Sequence, residues 1–124
     1  MSLILSVEDS PMNMKLARDI LEVKGHSVVE AASGEDGVRL ADVERPDLIL
    51  MDIQLPGING IEAFRQIRAN PATAAIPVIA FTASVTATDR NRVTEAGFDA
   101  FVSKPIDLKT FVATIAGLAT DRST

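Results

Sequence analysis

Five polar side chains in this sequence are placed to do chemistry: Glu8, Asp9, Asp52, Thr82 and Lys104. Each stands where an apolar run stops. Leu3 to Val7 ends at Glu8-Asp9, Leu48 to Met51 at Asp52, Pro77 to Phe81 at Thr82, and Phe98 to Ser103 at Lys104. Three carboxylates brought close together repel one another unless a cation neutralises them. Oxygen donors without histidine or cysteine suit a hard cation, Mg²⁺ or Mn²⁺, with water completing an octahedron. An aspartate beside such a metal can act as a nucleophile towards phosphorus. The Lys104 ammonium and the Thr82 hydroxyl would then hold phosphoryl oxygens as their charge shifts. Ala83 is small and leaves room for the incoming group.

These residues meet only if the runs that carry them are parallel strands. Leu48 to Met51 has no polar alternation, so both of its faces are expected to be buried, as in a central strand of a parallel sheet. An aspartate at the carboxyl end of such a strand sits where open α/β sheets bind ligands. Along the chain, the first strand, Leu3 to Val7, leads into a helix that Ser10 caps and Pro11 opens. That helix runs to about Lys24 with Leu16, Ala17, Ile20 and Leu21 as its apolar stripe and Gly25 as its cap. Ser27 to Ala31 reads as a shorter, more polar edge strand that ends without a reactive residue. Ser33 caps a second helix from Gly34 to about Glu44, which Pro46 ends.

The strand at Asp47 to Met51 follows, then a loop with Pro56, Gly57 and Gly60. A third helix, about Gly60 to Ala69, turns Phe64 and Ile67 inward. Pro77 to Phe81 is the fourth strand. A fourth helix over roughly Thr88 to Ala96 is rich in poor helix formers. Phe98 to Ser103 is the fifth strand, closed by Lys104-Pro105. The last helix starts at Asp107 and has Leu108, Phe111, Val112, Ile115, Leu118 and Ala119 on one face. Five strand–helix alternations argue an α/β fold with a doubly wound parallel sheet covered by helices on both faces. In such a sheet all carboxyl ends share one edge, which gathers the reactive residues.

Composition narrows the function. At 124 residues the chain fits one domain, with no linker or repeat and only a short polar tail after Thr120. No apolar run approaches the ~20 residues that span a bilayer, and no signal-peptide pattern opens the chain. The absence of cysteine excludes disulfides and thiolate chemistry and fits a cytoplasmic protein. A net charge of -5 argues against a basic patch for nucleic acid or anionic membranes. With no tryptophan or tyrosine and five phenylalanines, base-stacking platforms are not expected.

Taken singly, each reactive residue has an ordinary reading: Glu8 and Asp9 as helix-start acids, Asp52 as a turn cap, Thr82 as a cap, Lys104 as a surface charge. Their joint placement at four strand ends outweighs that reading. With Glu8-Asp9, the run Leu50-Met51-Asp52-Ile53-Gln54-Leu55-Pro56-Gly57, Gly60, Thr82-Ala83 and Lys104-Pro105, the chain resembles a receiver domain of two-component response regulators, of the CheY-like superfamily, from Leu3 to about Ala119. The resemblance implies a flavodoxin-like fold with strand order 2-1-3-4-5.

It also implies that Asp52 accepts a phosphoryl group from a phosphohistidine on a histidine kinase or phosphotransfer protein. Asp9, Asp52 and the Gln54 backbone carbonyl would ligate Mg²⁺, and Glu8 would act through metal-bound water. Lys104 would contact the phosphoryl group, and its bond to Pro105 would be cis. Thr82 and Phe101 match the family's switch positions, and Gln54, Ala83 and Ser84 flank the phosphoryl site. Phe101 replaces the tyrosine often found there, Glu8 the commoner aspartate, and Asn59 an aspartate frequent before Gly60. The one histidine, His26, follows Gly25 in a loop and reads as a surface residue rather than a phosphoryl donor.

The resemblance further implies a signalling protein rather than an enzyme, catalysing only its own aspartyl phosphorylation and dephosphorylation. Its fourth helix, fifth strand and fifth helix would contact a downstream protein, as a monomer or a phosphorylation-dependent dimer. Its first helix, with Met12, Asn13, Met14 and Lys15 near the site, would meet the phosphohistidine donor. The opening Glu8-Asp9-Ser10 with Asn13, and Gln54-Leu55-Pro56, match receivers of hybrid histidine kinases as well as free-standing ones. A different class is a Mg²⁺-dependent phosphohydrolase with an aspartyl nucleophile. Such enzymes usually carry a second aspartate two residues on, where this chain has Gln54.

Overall fold

The apolar runs become five parallel strands: β1 (Leu3–Val7), β2 (Ser27–Ala31), β3 (Leu48–Asp52), β4 (Val78–Thr82) and β5 (Ala100–Ser103). Helices α1 (Pro11–Val23), α2 (Gly34–Glu44) and α3 (Gly60–Ala69) connect the first four, and a last helix spans Leu108–Leu118. The computed structural model describes residues 2–55, 57–82, 91, 95–103 and 108–118. Strand order is β2-β1-β3-β4-β5, the flavodoxin-like order, with β2 at one edge as its polar sequence implies. Of the expected fourth helix, only Asn91, Glu95 and Ala96 are among the described residues, and they are helical.

The unbroken apolar run of β3 serves two cores. Leu48 and Leu50 pack with Ala17 and Leu21 of α1 and with Phe111 and Ile115 of the last helix. Ile49 and Met51 face the other way, onto Ala41 of α2 and Ala63, Phe64 and Ile67 of α3. Alternate side chains of one strand therefore bury against opposite helical layers, which is why the run contains no polar residue.

Caps define where the loops at the carboxyl edge stop. Ser10 Oγ accepts from Asn13 N–H at 3.4 Å, Ser33 Oγ from Asp36 N–H at 3.1 Å, and Asn59 Oδ1 from Glu62 N–H at 2.9 Å. Asn59 thus works as a helix cap. Pro46 ends α2 as expected, and Arg45 before it turns left-handed with φ 49°.

Several boundaries differ from the expectation for physical reasons. β3 and β4 each extend one residue further, to Asp52 and Thr82, because both ends are still paired: Asp52 with Phe81, Thr82 with Ser103. β5 begins at Ala100 because Phe98 instead stacks on Phe64, ring centroids 4.1 Å apart. Leu16 does not belong to the buried stripe of α1: it is 44% exposed, and Met14, Ala17 and Leu21 face the sheet. His26 is not a free surface residue either. It is half-buried, and its Nδ1 is enclosed without a hydrogen-bond partner among the described residues.

Candidate functional site

Register brings the acids together. Val7 pairs with Met51 across β1 and β3, so one step further Glu8 falls beside Asp52. Glu8 and Asp52 are buried, 6% and 3% exposed, whereas Asp9 is exposed at the mouth. Glu8, Asp9 and Asp52 each bring one carboxylate oxygen within 4.8 Å of the others. These are the three carboxylates expected to converge.

Local backbone geometry fixes two of them. Glu8 N–H donates to the Ala31 carbonyl at 2.9 Å, which holds the end of β1 to β2. Its carboxylate accepts from Ser10 N–H at 3.1 Å, tying it to the start of α1. Asp52 Oδ1 accepts from Gln54 N–H at 3.1 Å, so the carboxylate and the first turn of the following loop are locked together. Ile53 N–H donates to Phe81 O at 3.3 Å and Gly60 N–H to Ile53 O at 2.9 Å, closing the base of that loop. Gly60 must be glycine here, because a Cβ would strike the Asp52 carbonyl oxygen and lie 2.8 Å from Ile53 Cα.

The donor set suits a hard divalent cation. Two buried carboxylates and one exposed one cluster with no histidine or cysteine, and burying such charge is costly unless it is neutralised. Beside Glu8 and Asp9 lies a hollow of about 250 Å³, walled by Pro11, Met14, Glu30 and Ala31. The β2 edge, from which nothing comparable was expected, thus supplies part of the wall and the carbonyl that anchors Glu8. A larger groove of about 610 Å³ is lined by Leu21, His26, Phe111 and Ile115. His26 precedes β2, at the amino edge of the sheet, so this groove is remote from the carboxylates.

Of the remaining expected site residues, Phe101 lies on β5 opposite Ala80 and is half-buried. Gln54 is exposed in the loop after Asp52. Thr82 closes β4, with its side chain outside the described residues; Ala83, Ser84, Lys104 and Pro105, with the expected cis bond, also lie outside them. Met14 was expected among the donor-contact residues but is buried at 8% exposure, whereas Met12 is 79% exposed. One residue had no sequence signal: Glu35, at the start of α2, accepts from Ile58 N–H at 3.4 Å across 23 residues.

The family model of the response regulator receiver domain matches residues 4–116. This chain belongs to that family. Receivers are the response-regulator modules of two-component signalling, which take phosphoryl groups from histidine kinases and act on downstream targets. The polar-differentiation response regulator DivK of Brucella anthropi is 41% identical over 112 residues, covering 90% of this chain and 91% of that protein.

A solved receiver domain, from the sensor histidine kinase PA1611 of Pseudomonas aeruginosa, carries a magnesium ion in its active site cleft. It is 34% identical, with a TM-score of 0.89, over 95% of this chain and 97% of that one. The chemotaxis protein CheY4 of Vibrio cholerae shares the fold, with a TM-score of 0.88 at 23% identity over 95% of this chain and 98% of its own. Among the described residues, no helix is long and apolar enough to cross a membrane.

Proposed function

We propose that this receiver accepts a phosphoryl group on Asp52 from a phosphohistidine donor. The observation that carries the reading is the convergence of Glu8, Asp9 and Asp52, with one oxygen from each within 4.8 Å of the others, at the carboxyl edge of a receiver fold. A carboxylate oxygen of Asp52 attacks phosphorus, the P–N bond to the donor imidazole breaks, and the released imidazole nitrogen takes up a proton. Asp9, Asp52 and the Gln54 main-chain carbonyl would hold Mg²⁺, and Glu8 would act through a water. When bound, the ion supplies positive charge that neutralises the carboxylates and the phosphoryl oxygens.

Lys104 and Thr82 are assigned to the phosphoryl oxygens, with Gln54, Ala83 and Ser84 bordering them. Thr82 and Phe101 are assigned to the switch that follows. The output surface is the fourth helix with β5 and the last helix, read by a protein target. For the donor, α1 offers an exposed apolar stripe: Met12, Leu16 and Val23 are 79%, 44% and 83% exposed. Met12 stands three residues beyond Asp9, so a helical donor lying along that stripe brings its phosphohistidine to the site.

The test is intact-protein mass after incubation with acetyl phosphate, with and without Mg²⁺, on wild type and Asp52→Asn. A gain of about 80 Da is expected only for wild type with Mg²⁺. Equal labelling of Asp52→Asn moves the acceptor elsewhere. No gain under any condition makes the domain a phosphorylation-independent binding module.

A further inference from the structure

The loop that follows Asp52 is tied down at two points. Its base is closed by the bond from Gly60 N–H to Ile53 O at 2.9 Å. Its tip is held from outside, by Glu35 in the first turn of α2, whose Oε1 accepts from Ile58 N–H at 3.4 Å. The contact is close on both sides. Gly57 has φ 73°, and a Cβ there would lie 2.7 Å from Glu35 Oε1 and closer still to Oε2. Gly34, just before Glu35, meets Ile58 in the same way: a Cβ would lie 2.7 Å from Ile58 O and from Ile58 Cγ1. Glycines on both partners let two backbone segments approach over one carboxylate.

An acid in a first helical turn has an ordinary use, since it favours the positive end of the helix dipole. Asp36 already stands in that turn, and a dipole role requires no contact with another loop. Glu35 is exposed and has no ion-pair partner among the described residues; its one hydrogen bond goes to the loop.

We propose that Glu35 is a positioning residue for the metal site. Gln54 lies between the two ties, and its own N–H is bonded to Asp52 Oδ1 at 3.1 Å. Holding the tip at Ile58 keeps the main chain of Gln54 in place beside the carboxylates before any ion arrives. A ligand held in place in advance binds more tightly because less freedom is lost on binding. The inference rests on the reading above, in which the Gln54 carbonyl is a Mg²⁺ ligand.

The experiment uses the full chain as wild type, Glu35→Ala and Glu35→Gln. Amide hydrogen exchange is measured without metal, and Mg²⁺ is titrated while backbone amide NMR shifts are followed. Glu35→Ala should exchange faster at Ile58 and bind Mg²⁺ about tenfold more weakly, the lower end of what outer contacts supply to a metal site. Glu35→Gln, whose amide oxygen accepts the same bond, should stay near wild type in both. Wild-type exchange at Ile58 in Glu35→Ala overturns the tie. Faster exchange with unchanged Mg²⁺ affinity overturns the positioning role, and so does a loss of protection spread evenly over β3 and α2. If wild type itself takes up no Mg²⁺, the proposed function has failed, and this inference falls with it.

Discussion

Gly60→Ala should damage this protein through a single methyl group. Gly60 is buried at the first position of α3, and its φ is not left-handed, so an alanine there suffers no dihedral strain. The difficulty is space. The new Cβ would strike the carbonyl oxygen of Asp52 and stand 2.8 Å from Ile53 Cα and 2.9 Å from the Asp52 carbonyl carbon. All three are backbone atoms at the end of β3, where Asp52 is still paired with Phe81. They cannot rotate aside as a side chain would, so the strand end or the first turn of α3 must shift. Overpacking of this kind costs about 3 kcal/mol at the upper end of its usual range. Alanine returns under about 1 kcal/mol through helix propensity and a stiffer unfolded chain.

The net loss of about 2 kcal/mol corresponds to a fall in Tm of roughly 8 °C for a domain of this size. Far-UV circular dichroism follows the melt, since the chain has no tryptophan or tyrosine. Gly117→Ala is the matched control. Among the described residues nothing lies within 4 Å of a Cβ there, in the last turn of the last helix, so the same substitution should stabilise by about 0.5 kcal/mol. Opposite signs for one chemical change are the expected result. A Gly60→Ala protein that melts at or above wild type would refute the claim that this junction is rigid, and with it the reason for glycine beside Asp52.

Two further perturbations probe the opposite edge of the sheet. The pKa of His26 is lowered chiefly by burial, with the amino-terminal charge adding to it, so the unfolded chain binds this proton more readily than the folded one. Its contribution is complete above about pH 6.5 and is lost as pH falls through the lowered folded value. Wild type should therefore lose more Tm than His26→Asn between about pH 7.5 and about pH 5.5; equal slopes would remove His26 from the acid response. Arg68 donates to the Ile76 carbonyl at 2.6 Å and to Asp99 Oδ2 at 2.7 Å, and lies 4.7 Å from the Phe64 ring centroid. Arg68→Ala should cost about 2 kcal/mol in urea unfolding, and Arg68→Lys should recover little because an ammonium cannot form the same fork; a loss below about 0.5 kcal/mol would mean that solvent replaces these bonds.

Much of the architecture was legible because it rests on short-range signals. Ser33 followed by Gly34, and Gly60 after a Pro-Gly loop, marked helix starts, and the spans of α2 and α3 agree with expectation at both ends. Leu48 to Met51 marked a strand buried on both faces. The convergence of Glu8, Asp9 and Asp52 was also legible, although Asp9 and Asp52 are far apart in the chain, because a parallel sheet puts every carboxyl end on one edge. The Glu35–Ile58 contact was not legible. It joins two loop-flanking positions across two elements, and no periodicity or turn chemistry encodes such a meeting. Phe98 was misplaced in β5 for a related reason: its apolar character is spent on the Phe64 ring rather than on the sheet.

The first helix marks the limit of periodicity itself. Met14, Ala17 and Leu21 form one apolar row, and Met12, Leu16 and Val23 form a second on a different face, with Ile20 at the border. Both rows satisfy helical spacing, so spacing alone does not decide which one meets the sheet. Shape decides it: Ala17, at the centre of the first row, allows α1 to lie close to β1 and β3, where it joins Ile4, Leu48 and Leu50. Seating the second row inward would place Leu16 where Ala17 sits and turn Leu21 away from Phe111. The inner row is therefore selected by volume, and the outer row is left in water, with Met12 and Val23 more than three-quarters exposed. Folding alone does not require an apolar outer row on a helix that already has an inner one. That row starts three residues beyond Asp9, and for this reason it is the surface assigned to the phosphohistidine donor in the proposed function.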